Sequence, residues 1–331
     1  MATTSPPITA TGLGKERRSE GQWAVVWRRF RRHRMAMISL GILFLLFLGS
    51  LLAPLIAPFP RDEIGLTRTF ITPMGTDQDG RLHILGTDHL GRDYFTRLLY
   101  AARVSLTVAV TVATLAALMG IIMGLLAGFF GGWVDSLVTR TIEFVSTFPD
   151  LPILLILAAI LLRNEDFIQL PALITTPLAA ILAVPAREAK QVAMIIIVLA
   201  FLGWTGIARL MRGMVLQVRE QAYIESSRAL GGSNLRIIAK HVFPNAIPPL
   251  IVAYTLGVNG ALVGEAALSF LGFGIQDPTP TWGNMLAFAN SYMFNHPWVP
   301  LVPGLPILLC SLAINYVGDG LRDALDPKAR R

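Results

Sequence analysis

Long apolar runs, rather than alternating positions, dominate the chain. Residues 35–57, 104–130, 137–162, 191–210, 247–272 and 299–317 are each apolar with few charges. A helix needs about twenty apolar residues to cross a bilayer core, and these runs have that length. A spanning strand would alternate apolar and polar positions, which these do not, so each is predicted as a transmembrane helix. A further apolar stretch, residues 170–184, is short and carries Pro171 and Pro177. It is predicted as an interfacial or re-entrant piece. Residues 220–249 form a charged, helix-capable island between two apolar runs. Its first helix offers Tyr223, Ile224 and Leu230 for one face, and Glu225 and Arg228 at the spacing of an i,i+3 pair. Gly231-Gly232 is placed to end that helix in a left-handed turn. Ser233 or Asn234 is placed to cap a second short helix, which Pro244, Pro248 and Pro249 stop before the next span. The prediction is two short helices joined by a glycine elbow.

Composition agrees with this pattern. The 331 residues are 53% hydrophobic and only 15% charged, with a mean hydropathy of +0.58, so the chain is read as an all-α membrane protein with six transmembrane helices. The net charge of +7 sits in blocks beside the spans, as in the W-A-V-V-W-R-R-F-R-R-H-R segment of residues 23–34. That is the footprint of a positive-inside flank with interfacial tryptophans rather than of nucleic-acid binding. It places the N-terminus in the cytoplasm, and parity then puts the island and the C-terminus there too. The expected organisation is a basic cytoplasmic tail at 1–34, mobile over 1–21, and a first transmembrane helix at 35–58. An extracytoplasmic loop with an interfacial helix follows at 59–103. The transmembrane core is 104–318, with an extracytoplasmic insert at 163–190 and the island loop at 213–246, and a cytoplasmic tail closes the chain at 319–331. Cys310 is the sole cysteine, which excludes an intrachain disulfide.

Candidate chemistry is sparse. Gly12-Leu13-Gly14-Lys15 lacks the spacing of a phosphate-binding loop, and no such loop occurs elsewhere, so any ATP is expected to be hydrolysed by another chain. The loop before the second span repeats itself: Gly75-Thr76-Asp77-Gln78-Asp79-Gly80-Arg81 recurs as Gly86-Thr87-Asp88-His89-Leu90-Gly91-Arg92. Its spacing does not fit a calcium loop, and His83 and His89 are read as loop histidines in solvent. Gly120, Gly124 and Gly128 share a helix face and are read as a packing signal. Arg140 and Glu143 are spaced to pair. Asp150, beside Pro149 and Pro152, is either a cavity residue or a cap for a proline-broken helix. Asn259 and Glu265 lie within the fifth run. An intramembrane carboxylate is a functional candidate by default, but Glu265 falls in the outer half of its span, so a solvated carboxylate is equally open. These three are the candidate pathway or gate residues. Catalytic and metal residues are expected to be none.

The island resembles the cytoplasmic EAA loop of bacterial ABC importer permeases, E-A-A-x3-G-x9-I-x-L-P. Here Glu225, Gly231 and Pro244 stand in register, Ser226 and Ser227 replace the alanines, and His241 and Phe243 replace Ile and Leu. Residues 85–93, 97–100, 267–274, 278–283 and 318–327 are similar to signatures of the C-type permease of dipeptide/oligopeptide importers, so the resemblance covers nearly the whole chain. The insert at 163–190 is longer than that pattern and the Gly75 repeat copy is extra to it. The resemblance implies a type I importer permease fold in a bacterial or archaeal plasma membrane. Tyr223, Glu225, Ser226, Ser227, Arg228, Ala229, Leu230, Gly231 and Pro244 would couple it to the ATPases. Implied partners are a second homologous permease, two ABC ATPase subunits, an extracytoplasmic substrate-binding protein and membrane lipids, with no nucleic acid. No cofactor is implied in this chain, since the partner ATPases use ATP and magnesium. The alternative is a self-contained secondary transporter or channel using Asp150, Asn259 and Glu265. A membrane enzyme has no nucleophile set or zinc-protease signature to support it.

Overall fold

A computed structural model describes residues 22–163 and 170–326. The expected mobile tail with its Gly12–Lys15 segment, residues 164–169 of the insert and the end of the C-terminal tail lie outside the described residues.

The first run forms α2 (Arg34–Leu51) and a short α3 (Ala53–Ile56), preceded by α1 (Gln22–Arg32). His33 separates α1 from α2, and its Nδ1 caps α2 by accepting from Ala36 N at 3.1 Å. The second run is the upper part of α4 (Tyr94–Phe130), which starts at an Asp93 cap, so the interfacial helix expected at 97–103 is continuous with it. The predicted third span is two helices, α5 (Gly132–Thr147) and α6 (Asp150–Arg163), bent by 89°. Phe148 is extended there because the ring of Pro149 disfavours helix in the residue before it. Next come α7 (Ala172–Leu182), too short to span, and α8 (Ala186–Arg219). Among the described residues five helices are long and apolar enough to cross a bilayer, and α5 with α6 makes a sixth if taken as one span.

The island departs from expectation at its second half. α9 (Ala222–Ala229) and the turn at Gly231 form as read, and Ser233 caps α10 (Asn234–Ile237). But α10 does not stop at the prolines. It passes through a π turn at Ile238–Val242 into α11 (Phe243–Phe270), giving one helix over Asn234–Phe270. The wider π turn makes room for the ring of Pro244, which in a regular helix clashes with the carbonyl four residues back. The second arm of the elbow is therefore the end of a span rather than a separate surface helix. α12 (Trp282–Tyr292) and α13 (Leu301–Leu325) complete the chain.

α4 and α8 lie side by side as the centre of the bundle. A Cβ on Gly120 would come within 2.7 Å of Trp204 O, and one on Gly124 within 2.6 Å of Ala208 O. At Gly128 it would lie 2.7 Å from the Val215 Cβ. The glycine stripe is thus the seam between the two helices, as its spacing predicts. Gly124→Leu is expected to destabilise the fold by about 1–3 kcal/mol through overpacking. Thermal unfolding of the detergent-solubilised chain checks this, and an unchanged midpoint would show that the seam is slack.

The two poles of the bundle differ. One carries the α9 elbow, the end of α13 and α1. There Phe30 is buried against Ala36 and Ala324. The other carries the long loop between α3 and α4, the start of α8 and α12. In that loop β1 (Gly75–Thr76) pairs antiparallel with β2 (Leu82–His83). The sequence repeat is a structural repeat. Asp77 accepts from Arg81 N at 2.8 Å and Arg81 Nε at 2.9 Å, while Asp88 accepts from Arg92 N at 2.9 Å and Arg92 Nε at 2.6 Å. Gly80 and Gly91 supply the positive φ that closes each turn. The carboxylates are thus engaged by N–H donors of their own loops. Neither histidine is a solvent residue as expected. His83 is buried, with Nδ1 2.8 Å from Asp93 Oδ1 and its ring stacked on Phe59. His89 lies against Phe288 and Tyr292. The loop has its own apolar and aromatic packing, which a pattern of polar residues does not reveal.

Candidate coupling site and cavity

α8 ends at Arg219, and a two-residue turn leads into α9, with Gln221 N donating to Val218 O at 3.1 Å. Ile224, Ile237 and Val242 are fully buried and pack with Phe129, Met211, Val215 and Val218. They fasten both arms of the elbow to α4 and α8. Ser226 Oγ donates back to Ala222 O at 3.0 Å, so the serines standing for alanines are accommodated within the helix. The helix ends with Gly231 N donating to Arg228 O and Gly232 N to Ser227 O, both at 2.9 Å. Gly231 has φ +79°, the left-handed cap that glycine favours.

Two expectations about α9 change. Arg228 does not pair with Glu225, because its guanidinium lies 5.6 Å over the Phe129 ring. Glu225 is exposed and makes no ion pair among the described residues. Leu230 does not share the packed face of Ile224, since it is 88% exposed beyond the last helical turn. Leu235 is 77% exposed and Tyr223 is half-exposed, its ring 5.8 Å from that of His241. Ala229 and Pro244 are exposed as well. The elbow therefore presents large apolar side chains and an acid away from the bundle, the make-up of a protein-docking surface.

A cavity of about 670 Å³ opens between α4, α6, α8 and α11. Its wall is apolar and glycine-rich, with Gly203, Gly206, Gly257, Gly260 and Gly264, and Asp150 is its charged residue. Asp150 is also the first residue of α6, where no capping hydrogen bond from its side chain is seen among the described residues. The other pathway candidates are elsewhere. Asn259 faces Asn315 of α13 at 3.4 Å. Glu265 is not solvated but completely buried, accepting from Ser105 Oγ at 3.1 Å and Ser269 Oγ at 2.7 Å. Ser105 Oγ in turn accepts from Trp282 N and Ser269 Oγ from Ile275 N, so Glu265 ties α4, α11 and α12 together.

Sequence reading missed the ion network at the loop-bearing pole. Asp277 accepts from Arg92 Nη1 at 2.6 Å and Arg97 Nη2 at 2.8 Å. Glu188 accepts from Arg61 Nη2 at 3.3 Å and Thr279 Oγ1 at 2.5 Å. Burial pushes the Asp277 carboxyl up, but Arg97 and Arg92 outweigh it and hold the group below the usual carboxylate range. The partners are far apart along the chain, so no local spacing marks them. A second missed pair, Asp135 with Arg212, joins α5 to α8 near the elbow.

These features belong to a multi-pass membrane permease, with a cavity between its spans and an exposed elbow at one pole. Residues 120–331 match the family described as binding-protein-dependent transport system inner membrane component, and residues 21–73 match the N-terminal TM domain of oligopeptide transport permease C. The chain belongs to this family of transport permeases. It is 36% identical over 323 residues to the glutathione transport system permease protein GsiD of Shigella flexneri, covering 98% of this chain and 96% of that one. It is 34% identical over 308 residues to the dipeptide transport system permease protein DppC of Alkalihalophilus pseudofirmus, covering 93% and 90%. Among solved structures, an amino acid ABC transporter covers 69% of this chain and 94% of its own, at 16% identity and a TM-score of 0.49.

Proposed function

We propose that this permease imports short peptides and is driven by ATPase subunits that grip the α9 elbow. The observation that carries the reading is the elbow itself. Ile224, Ile237 and Val242 are rooted in the bundle, while Leu230, Leu235, Tyr223 and Glu225 face away from it. A force applied to the outward residues passes through the buried ones to α8 and α4. The elbow pole is assigned to the cytoplasm, because the arginines of α1 and the basic residues of the elbow gather there. The loop-bearing pole then faces outward, toward a substrate-binding protein. A second, related permease would complete the pathway that the cavity begins. ATP and magnesium would act on the two ATPase subunits. Their closure would rock the spans between inward and outward access as a rigid-body change between two arrangements. The peptide cargo is supported by relatives named for dipeptide and for glutathione, itself a small peptide.

The test is uptake of a labelled dipeptide and of labelled glutathione into proteoliposomes. One set holds this chain alone. The other holds the complex purified with its co-expressed second permease, ATPases and binding protein. Uptake is expected only in the complex and only with ATP. Uptake by the chain alone would instead establish a self-contained transporter.

A further inference from the structure

We propose that the Asp135–Arg212 ion pair is the joint that carries movement of the elbow to the broken span α5–α6. Arg212 is a positioning residue for transport and touches neither cargo nor ATP. This inference rests on the function proposed above.

α8 is the lever. It runs unbroken from Ala186 to Arg219 and turns directly into α9. The glycine seam locks it to α4, and Arg219 Nη1 adds a bond to Gly128 O at 3.0 Å. α5 has no such seam. It leaves α4 through Gly131 and Gly132, both at positive φ, a junction with little intrinsic stiffness. Its apolar hold on the lever is narrow, through Val138 and Ile142 packed beside Trp204 and Ala208. Apolar packing of this kind resists separation better than sliding, because it has no directional bonds.

The directional link is polar. Arg212 Nε donates to Asp135 Oδ1 at 2.5 Å and Arg212 Nη2 to Oδ2 at 2.8 Å, a bidentate fork that sets both distance and angle. The Asp135 side chain is 22% exposed and that of Arg212 33%. Thr139 Oγ1 donates to the same Asp135 oxygen at 3.3 Å, and three turns further along α5 Ser146 Oγ accepts from Arg209. At the end of α5 the chain bends by 89° into α6, whose first residue, Asp150, enters the cavity wall. One continuous path therefore runs from α9 through α8 and the fork to α5, and so to the wall of the pathway.

The experiment compares wild type, Asp135→Asn, Arg212→Gln and the exchanged pair Asp135→Arg with Arg212→Asp, each in the complete purified complex in proteoliposomes. The readout is peptide delivered per ATP hydrolysed. Each single variant is expected to lower that ratio about tenfold while hydrolysis by the ATPase subunits continues, and the exchanged pair to recover most of it. An unchanged ratio in the single variants overturns the joint. So does a loss that the exchange does not repair, or a failure of the single variants to assemble, since either makes the pair merely structural. A wild-type complex that shows no ATP-dependent uptake overturns the function itself and is read separately.

Discussion

Gly231→Val is expected to abolish ATP-dependent uptake while membrane insertion stays intact. The residue sits at φ +79°, where a β-branched side chain costs about 1–2 kcal/mol. A Cβ there would meet nothing within 4 Å, so the substitution does not disturb the bundle by collision. The strain is relieved by opening the turn, which loses the bonds from Gly231 N and Gly232 N and re-aims Leu230 and Leu235. In the function proposed above those exposed side chains would be the surface offered to the ATPases, so uptake is expected to fail at the joint and not in the membrane. Glu225→Lys is expected to do the same by reversing an exposed charge that has no ion-pair partner within the described chain. Both are checked by peptide uptake alongside quantification of the chain in isolated membranes, with uptake falling at least about tenfold. Normal uptake by both variants would remove the coupling role of the elbow.

Asp277→Ala is expected to be the most destabilising single change at the loop-bearing pole. Its carboxylate faces two guanidiniums, and the Arg97 side chain is only 1% exposed. Asp277 itself is partly exposed, so the cost comes from leaving the buried Arg97 guanidinium short of a partner, about 1–3 kcal/mol. Arg92 keeps Asp88, so most of the penalty falls on Arg97, whose remaining carboxylate is Asp62 at 3.5 Å. Thermal unfolding followed by tryptophan fluorescence measures the loss, with Trp282 and Trp298 near the site as reporters. The pH dependence has a definite sign. The folded pKa of Asp277 lies below its unfolded value. Its contribution is therefore present above the unfolded value, about 4, and is lost as pH falls through the folded one. Wild type should lose this part of its stability only in that acid range, and the Ala variant should show no such step. A step of equal size in both would assign it to other carboxylates.

The elements that could be read from the chain are those whose cause is local. Span length, the glycine stripe at 120, 124 and 128 and the left-handed cap at Gly231 each follow from a few neighbouring residues. The register of Glu225, Gly231 and Pro244 was legible through the resemblance to the EAA loop rather than through any local signature. Three readings changed for a common reason. Prolines predicted a stop before the fifth span, yet a π turn absorbs Pro244 once α10 is packed through Ile237 on the bundle. Arg228 had Glu225 at pairing distance along the helix but found the ring of Phe129 from another helix. His83 stood in a polar loop and was buried by that loop's own fold.

By itself the sequence determined the class, a bundle of membrane-crossing helices with a charged elbow, because hydrophobic length and local capping depend on adjacent residues alone. Only the tertiary structure decided what the polar residues inside that bundle do. Glu265 joins three helices, Asp150 enters a cavity, Asp277 gathers two arginines and Asp135 forks onto Arg212. Each of these depends on which distant side chain meets a buried charge, and that is settled by how the helices pack.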